Sequence, residues 1–131
     1  GQRYSEVKAI EQHLPNVQIK QYGLDCFIWK KPTQADIDAA QQGLREVEEI
    51  ILSGKYNVVV LDEANIAVFY ELFSVQELID VVTRKPIDTE IIITGRYATP
   101  ELIEVADLVT EMKEVKHYYN QGVEARKGIE H

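Results

Sequence analysis

The sequence predicts an α/β fold in which helices cover both faces of a mostly parallel sheet, as one three-layer α/β/α domain over residues 1–131. Two apolar segments, 58–61 and 90–93, are rich in valine and isoleucine, and each is followed at once by polar residues. The helix-length segment between them is what a parallel crossover requires. Segments with helical and strand-like periodicity alternate along the rest of the chain, which favours this fold class.

Hydrophobic periodicity and turn residues predict the elements in order. They are a helix over 4–14, a strand over 17–22, a loop over 23–32, a helix over 34–52, a strand over 58–61, helices over 64–70 and 75–85, a strand over 90–93, a helix from 100 and a strand over 108–112. Thr33, Ser74 and Thr99 are the predicted N-caps, because each stands directly before a helical pattern. Pro100, at the first helical position, strengthens the third of these starts.

Composition excludes several classes of function. The net charge of −8 disfavours nucleic acid as a partner, because a phosphate backbone would be repelled. No apolar run approaches the roughly 20 residues of a membrane span, and the first residues lack the apolar core of a secretory signal. Cys26 is the only cysteine, so an internal disulfide and a cysteine metal cluster are both excluded. We therefore expect a cytoplasmic protein that binds no membrane.

Asp62 and Glu63 directly follow the first predicted strand, the apolar segment 58–61. A continuous apolar run predicts a strand covered on both faces, and ligands of open α/β sheets bind at the carboxyl ends of the strands. Two carboxylates at such an edge can hold Mg²⁺ and order water around a nucleotide. Alternatively, both acids serve only to cap the helix that begins near Ala64. The residues alone leave the two interpretations open.

Thr94, Gly95 and Arg96 follow the second strand in the same way. Since parallel strands end at the same edge, we expect Arg96 near Asp62 and Glu63. Its guanidinium could form an ion pair with them or bind a phosphate or carboxylate ligand.

The segment around Phe27 and Trp29 holds the only tryptophan of the chain, between a glycine and a proline that predict a loop. Either these aromatic side chains fold onto the core, or they form an apolar surface for a large flat ligand.

Six short segments together resemble, in order and spacing, the ATP:corrinoid adenosyltransferases of cobalamin biosynthesis and salvage. The segments are Phe27–Trp29, Val58–Glu63, Thr94–Arg96, Ala106–Met112, Val115–His117 and Lys127–Glu130. The resemblance covers nearly the whole chain and implies a P-loop NTPase fold of the RecA-like type. It also implies the reaction of that family, in which Co(I) of a corrinoid attacks the 5′ carbon of ATP and releases triphosphate.

The resemblance also implies roles for individual residues. Asp62 and Glu63 match the family's Walker B-like acids, which implies catalytic residues that bind Mg²⁺ or its waters. Phe27 and Trp29 match the corrinoid loop, whose apolar side chains displace the lower axial ligand of cobalt. Arg96 and Lys116 are implied contacts to corrin side chains or phosphate. The implied ligands are ATP, Mg²⁺ and a cobalamin-type corrinoid, with a flavin-type electron donor and a homodimer as compatible partners.

One part of the family pattern is missing from these 131 residues. The family's P-loop, G-x-x-x-x-G-K-S/T, holds the ATP phosphates, and no glycines of this sequence have that spacing. We therefore expect the sequence to be the C-terminal portion of a longer enzyme whose N-terminal strands are not included, and these residues alone to bind MgATP weakly. The alternative is a non-catalytic corrinoid-binding or dimer-forming remnant of the family.

Overall fold

A computed structural model describes residues 5–23 and 31–129. Its elements are α1 (Ser5–His13), α2 (Gln34–Leu52), β1 (Val58–Leu61), α3 (Ala64–Phe69), α4 (Val75–Val82), β2 (Glu90–Ile93), α5 (Pro100–Val105) and a 3₁₀ helix (Tyr118–Gln121). The described residues divide into two compact units, one of residues 21–23 and 31–107 and one of residues 5–20 and 108–129. Whether they form a single domain stays a prediction.

Both strands of the sheet lie in the first unit and are parallel, as predicted. Val58 pairs with Glu90 and Leu61 pairs with Ile93, so the two strands end at the same level. The α/β class with a small parallel sheet is thereby confirmed. The residues that follow Leu61 and Ile93 must lie side by side at one edge.

The core of this unit lies on one face of the sheet. Leu61 belongs to a buried cluster with Phe73, Leu78, Ile79 and Leu102, which come from the segments around α4 and α5. Other strand residues on the same face as Leu61, among them Ile91 and Ile93, pack against that cluster. Leu78 is completely buried and therefore contributes the full hydrophobic stabilisation of a leucine, about 1.5–3 kcal/mol.

The opposite face of the sheet is open. Val58, Val60 and Ile92 are all about half exposed, since side chains alternate along a strand and these three point away from the core. The prediction that β1 is buried on both faces is therefore wrong for the described residues. An apolar run could not reveal this, because its composition is the same whichever face is covered.

Two predicted strands are also absent from the described residues. Segments 17–22 and 108–112 are irregular, and Leu108 and Met112 are 84% and 91% exposed. Their alternating or apolar composition suits a strand, but a strand is stabilised by a partner, and β1 and β2 are the strands that pair in the described part of the chain.

The predicted helix starts are confirmed. Thr33 and Ser74 both form capping boxes, with Asp36 and Glu77 as the acids of the third helical position. Thr99 accepts a hydrogen bond from the third residue of α5, and Pro100 occupies the first position of that helix. Such caps satisfy backbone N–H groups that have no partner inside the helix. No helix in residues 5–23 and 31–129 is long and apolar enough to cross a bilayer.

The capping box of α4 gives a stability prediction with a defined pH dependence. Hydrogen bonds from the Ser74 backbone N–H and hydroxyl lower the pKa of Glu77 below its ordinary 4.5. This stabilisation is complete above about pH 4.5 and is lost as the pH falls through the lowered pKa. We expect Ser74→Ala to lower the free energy of unfolding by about 1 kcal/mol at neutral pH and to reduce its loss in acid.

Urea denaturation at pH 7 and at pH 3 to 4 measures both effects. Ser74→Thr retains the hydroxyl and is the matched control. Equal acid sensitivity of Ser74→Ala and the unmodified protein would show that the Ser74 hydroxyl has no part in this pH dependence.

Candidate functional site at the carboxyl ends of the strands

The carboxyl ends of β1 and β2 are joined by a chain of hydrogen bonds through one hydroxyl. The backbone N–H of Glu63 donates to Oγ1 of Thr94 over 3.0 Å. Oγ1 of Thr94 in turn donates to Oδ1 of Asp62 over 2.6 Å. The two predicted acids are thus held at the edge by the residue that directly follows the neighbouring strand, in agreement with the parallel register.

Glu63 has an unusual backbone conformation for a glutamate. Its φ of 59° and ψ of 19° place it in the left-handed region at the N-cap position of α3, and its side chain makes no capping hydrogen bond. The interpretation of the acids as helix caps is therefore wrong for the Glu63 side chain. Both acids are exposed, so their carboxylates are accessible to a ligand.

Asn65 fastens the start of α3 to the end of β2. Its backbone N–H donates to the carbonyl of Thr94 over 3.3 Å, and its Nδ2 donates to the carbonyl of Gly95 over 3.3 Å. Asn65 is 6% exposed, which makes it a buried polar residue whose amide is satisfied within the site.

Gly95 makes this close approach possible. Its φ of +118° is unfavourable for residues with a Cβ. A Cβ at this position would lie 3.0 Å from Cβ of Asn65 and 3.3 Å from Oε2 of Glu63. The glutamate side chain therefore passes directly over the turn that follows β2.

Sequence reasoning missed Thr94 and Asn65 as members of the site. Thr94 lies in one of the six segments that resemble the family, but the sequence does not indicate a role for its hydroxyl. Asn65 lies inside the predicted helix over 64–70. The available signal is a small polar residue directly after the second strand segment, and it becomes specific only when the register is known.

Arg96 and Tyr97 continue from the same edge. Among the described residues, Arg96 makes no ion pair with Asp62 or Glu63. The prediction that it lies at the same edge as the acids agrees with the register, whereas the ion-pair interpretation is wrong for the described residues. Tyr97 stacks on Phe69 with the ring centroids 4.3 Å apart, and its φ of 64° is again left-handed.

Lys116 and His117 lie in the second unit. Lys116 is exposed. Nδ1 of His117 accepts a hydrogen bond from the backbone N–H of Tyr119 over 3.0 Å and so caps the 3₁₀ helix. The local role found for His117 is structural, while the role predicted for Lys116 stays a prediction. Phe27 and Trp29 lie outside the described residues, and their predicted role is likewise untested.

The edge offers a metal ion two carboxylates, those of Asp62 and Glu63. Within the described ranges there is no cluster of three or more His, Cys, Asp or Glu side chains able to hold a metal ion. Mg²⁺ usually retains several waters and is bound through one or two carboxylates together with substrate phosphates. Asp62 and Glu63 supply such a pair.

Fold and edge together define an α/β protein with two exposed acids at the carboxyl ends of its parallel strands, where ligands of open α/β sheets bind. The sequence model described as "ATP:corrinoid adenosyltransferase BtuR/CobO/CobP" matches residues 1–131. The chain belongs to this family, which confirms the resemblance drawn from the six sequence segments.

Relatives support the same assignment. The chain is 38% identical over 128 residues to a corrinoid adenosyltransferase of Sinorhizobium sp., an alignment that covers 95% of this chain and 59% of the relative. It is 34% identical over 105 residues to a corrinoid adenosyltransferase of Pseudomonas aeruginosa, covering 79% and 52%. An uncharacterized protein of Nostoc sp. is 38% identical over 136 residues, covering 99% and 36%. The chain thus spans between about a third and three fifths of the length of these relatives.

Proposed function

We propose that the protein containing this chain transfers the 5′-deoxyadenosyl group from ATP to Co(I) of a corrinoid and releases triphosphate. The observation that carries the proposal is the family match over residues 1–131, together with the two acids joined through Thr94 at the sheet edge. The proposed architecture is the three-layer P-loop NTPase fold. The described two-stranded sheet and its helices are compatible with a part of that fold.

The reaction is a substitution at carbon. The electron pair of Co(I) forms the Co–C bond, while the bond between C5′ and the triphosphate oxygen breaks and the leaving group departs with its electrons. Holding C5′ in line with cobalt and compensating the charge on triphosphate are therefore the protein's main tasks.

Asp62 and Glu63 are proposed to hold Mg²⁺ through direct contacts or bound water. When bound there, Mg²⁺ would offset the negative charge of the triphosphate. Because both carboxylates are exposed and stand at a fixed edge, they need no large rearrangement to meet such a ligand.

Arg96 and Lys116 are proposed as contacts to phosphate or to the side chains of the corrin. Arg96 supports this role by its position, since it follows Gly95 at the edge and is exposed. Its planar guanidinium suits bidentate contact with phosphate oxygens. For Lys116 the support is its place in the sequence segment that resembles the family.

Phe27 and Trp29 are proposed to displace the lower axial ligand of the corrinoid. Reduction of Co(II) adds electron density along this axis, so removing the ligand favours Co(I).

A flavin-type protein is the proposed electron donor, and a homodimer is the proposed assembly. Reduction of the bound corrinoid on mixing with a reduced flavoprotein tests the electron donor. The molecular mass of the purified protein in sedimentation tests the homodimer.

The corrinoid loop gives a spectroscopic prediction. Phe27→Ala and Trp29→Ala should each reduce the four-coordinate cob(II)alamin signal formed with MgATP, because each removes apolar bulk that excludes the axial ligand. Absorption spectroscopy of the complete gene product measures the signal. Phe27→Leu and Trp29→Phe retain apolar volume and should keep most of it. Unchanged signal in both alanine variants would leave these side chains as packing residues only.

The function itself is tested by incubating the complete gene product with MgATP and chemically reduced cob(I)alamin. We expect adenosylcobalamin and triphosphate to accumulate in equal amounts. Formation of adenosylcobalamin without triphosphate, or no product from folded protein, would contradict the proposed reaction.

A further inference from the structure

The direction of the two hydrogen bonds at Thr94 is fixed by chemistry. A backbone N–H can only donate, so Oγ1 of Thr94 must accept from Glu63. The single hydroxyl proton is then free for Oδ1 of Asp62, and a 2.6 Å O–H···O⁻ contact is a strong, charge-assisted bond. One hydroxyl thereby connects the backbone of one acid with the carboxylate of the other.

We propose that Thr94 is a positioning residue for both acids, an inference that rests on the proposed function. Its bond to Oδ1 restricts the rotation of the exposed Asp62 carboxylate and leaves the second oxygen, Oδ2, for a ligand. Its bond to the Glu63 N–H helps to hold that residue in the left-handed conformation that carries the side chain over Gly95. Outer partners of this kind orient carboxylate ligands of metals and tune metal affinity.

Asn65 does not make Thr94 redundant. It binds the backbone carbonyls of Thr94 and Gly95 and therefore holds the start of α3 against the end of β2. Neither of its hydrogen bonds reaches the carboxylate of Asp62. Loss of the Thr94 hydroxyl should consequently disturb the acids while the contact between helix and strand persists.

The test compares Thr94→Val, which keeps the shape of the side chain but lacks the hydroxyl, with Thr94→Ser, which retains it. Mn²⁺ alone is the probe, titrated into the complete gene product and followed by the EPR signal of the free ion. We expect Thr94→Val to weaken Mn²⁺ binding about 10-fold and Thr94→Ser to remain close to the unmodified protein. Thr94→Ala serves as the second variant lacking the hydroxyl if Thr94→Val does not fold.

Thr89 offers a matched control at the opposite end of β2. Its hydroxyl donates to the carbonyl of Tyr56 over 3.1 Å, and the residue is 2% exposed. Thr89→Val should lower the unfolding midpoint and leave Mn²⁺ binding unchanged. If Thr94 acts only through stability, Thr94→Val should likewise lower the unfolding midpoint and leave Mn²⁺ binding unchanged.

Asp62→Ala separates the failure of this inference from the failure of the proposed function. If Asp62→Ala weakens Mn²⁺ binding but Thr94→Val does not, the positioning role is overturned and the metal site stands. If neither substitution has an effect, the metal site and the positioning role are both overturned. If both substitutions weaken Mn²⁺ binding but the unmodified protein forms no adenosylcobalamin, the positioning role stands and the proposed reaction is overturned.

Discussion

Replacing Glu63 or Asp62 with alanine is expected to lower adenosyl transfer by the complete gene product at least about 10-fold. Loss of one charge-assisted contact to Mg²⁺ or its bound water removes roughly 1.5–3 kcal/mol of stabilisation from the transition state. The free energy of unfolding should change far less, since both side chains are exposed, the Glu63 side chain makes no capping bond, and the hydrogen bond that Asp62 accepts from Thr94 is itself exposed to water. Initial rates of adenosylcobalamin formation, normalised to folded protein, measure the effect.

Glu71 provides the matched control for Glu63. It lies just beyond the other end of α3, is exposed and has a left-handed φ of 56°, so Glu71→Ala makes the same chemical change on a similar backbone. Its activity should remain within about twofold of the unmodified protein. If Glu63→Ala instead lowers the unfolding midpoint sharply while the folded fraction stays active, the acids act as structural residues.

The second large effect is expected at Gly95. In Gly95→Ala the new methyl group would lie 3.0 Å from Cβ of Asn65 and 3.3 Å from Cα and Oε2 of Glu63. The φ of +118° is in addition unfavourable for alanine. Strain and overlap together should cost about 2–5 kcal/mol of unfolding free energy and displace the Glu63 side chain. Urea denaturation and adenosyl transfer measure the two consequences.

Gly23→Ala separates strain from overlap. Gly23 has a similar φ of +100°, but a Cβ there would meet nothing within 4 Å. This variant should show the cost of the backbone conformation, roughly 1–3 kcal/mol, with no contribution from crowding. Equal destabilisation by the two substitutions would show that the close approach to Glu63 and Asn65 has no energetic consequence.

Much of the local structure of the first unit could be predicted from the sequence because its signals are local. Thr33, Ser74 and Thr99 bind backbone groups within three residues, so capping follows directly from spacing. The prediction of strands over 17–22 and 108–112 is wrong because a strand depends on a partner that is distant in the chain. The same limit applies to β1, whose apolar composition could not show that Val58 and Val60 face away from the core.

The residues of the candidate site also divide into those with a local sequence signal and those whose role depends on a distant partner. Asp62, Glu63 and Arg96 were identifiable because they follow strand-like segments. The roles of Thr94 and Asn65 depend on hydrogen bonds across 30 to 32 residues of sequence, which exist only once the two strands are in register. Sequence periodicity carries no information about which side chain will stand opposite another at such an edge.

The left-handed backbone of Glu63 also bears on how this protein would respond to selection. Glycine adopts that conformation without steric cost, so a glycine at position 63 would be tolerated by the fold and could even stabilise it. A library selected for thermal stability alone would accordingly enrich variants that lack the carboxylate. Engineering a more heat-resistant form therefore requires that position 63 be held constant or that every round include a screen for turnover.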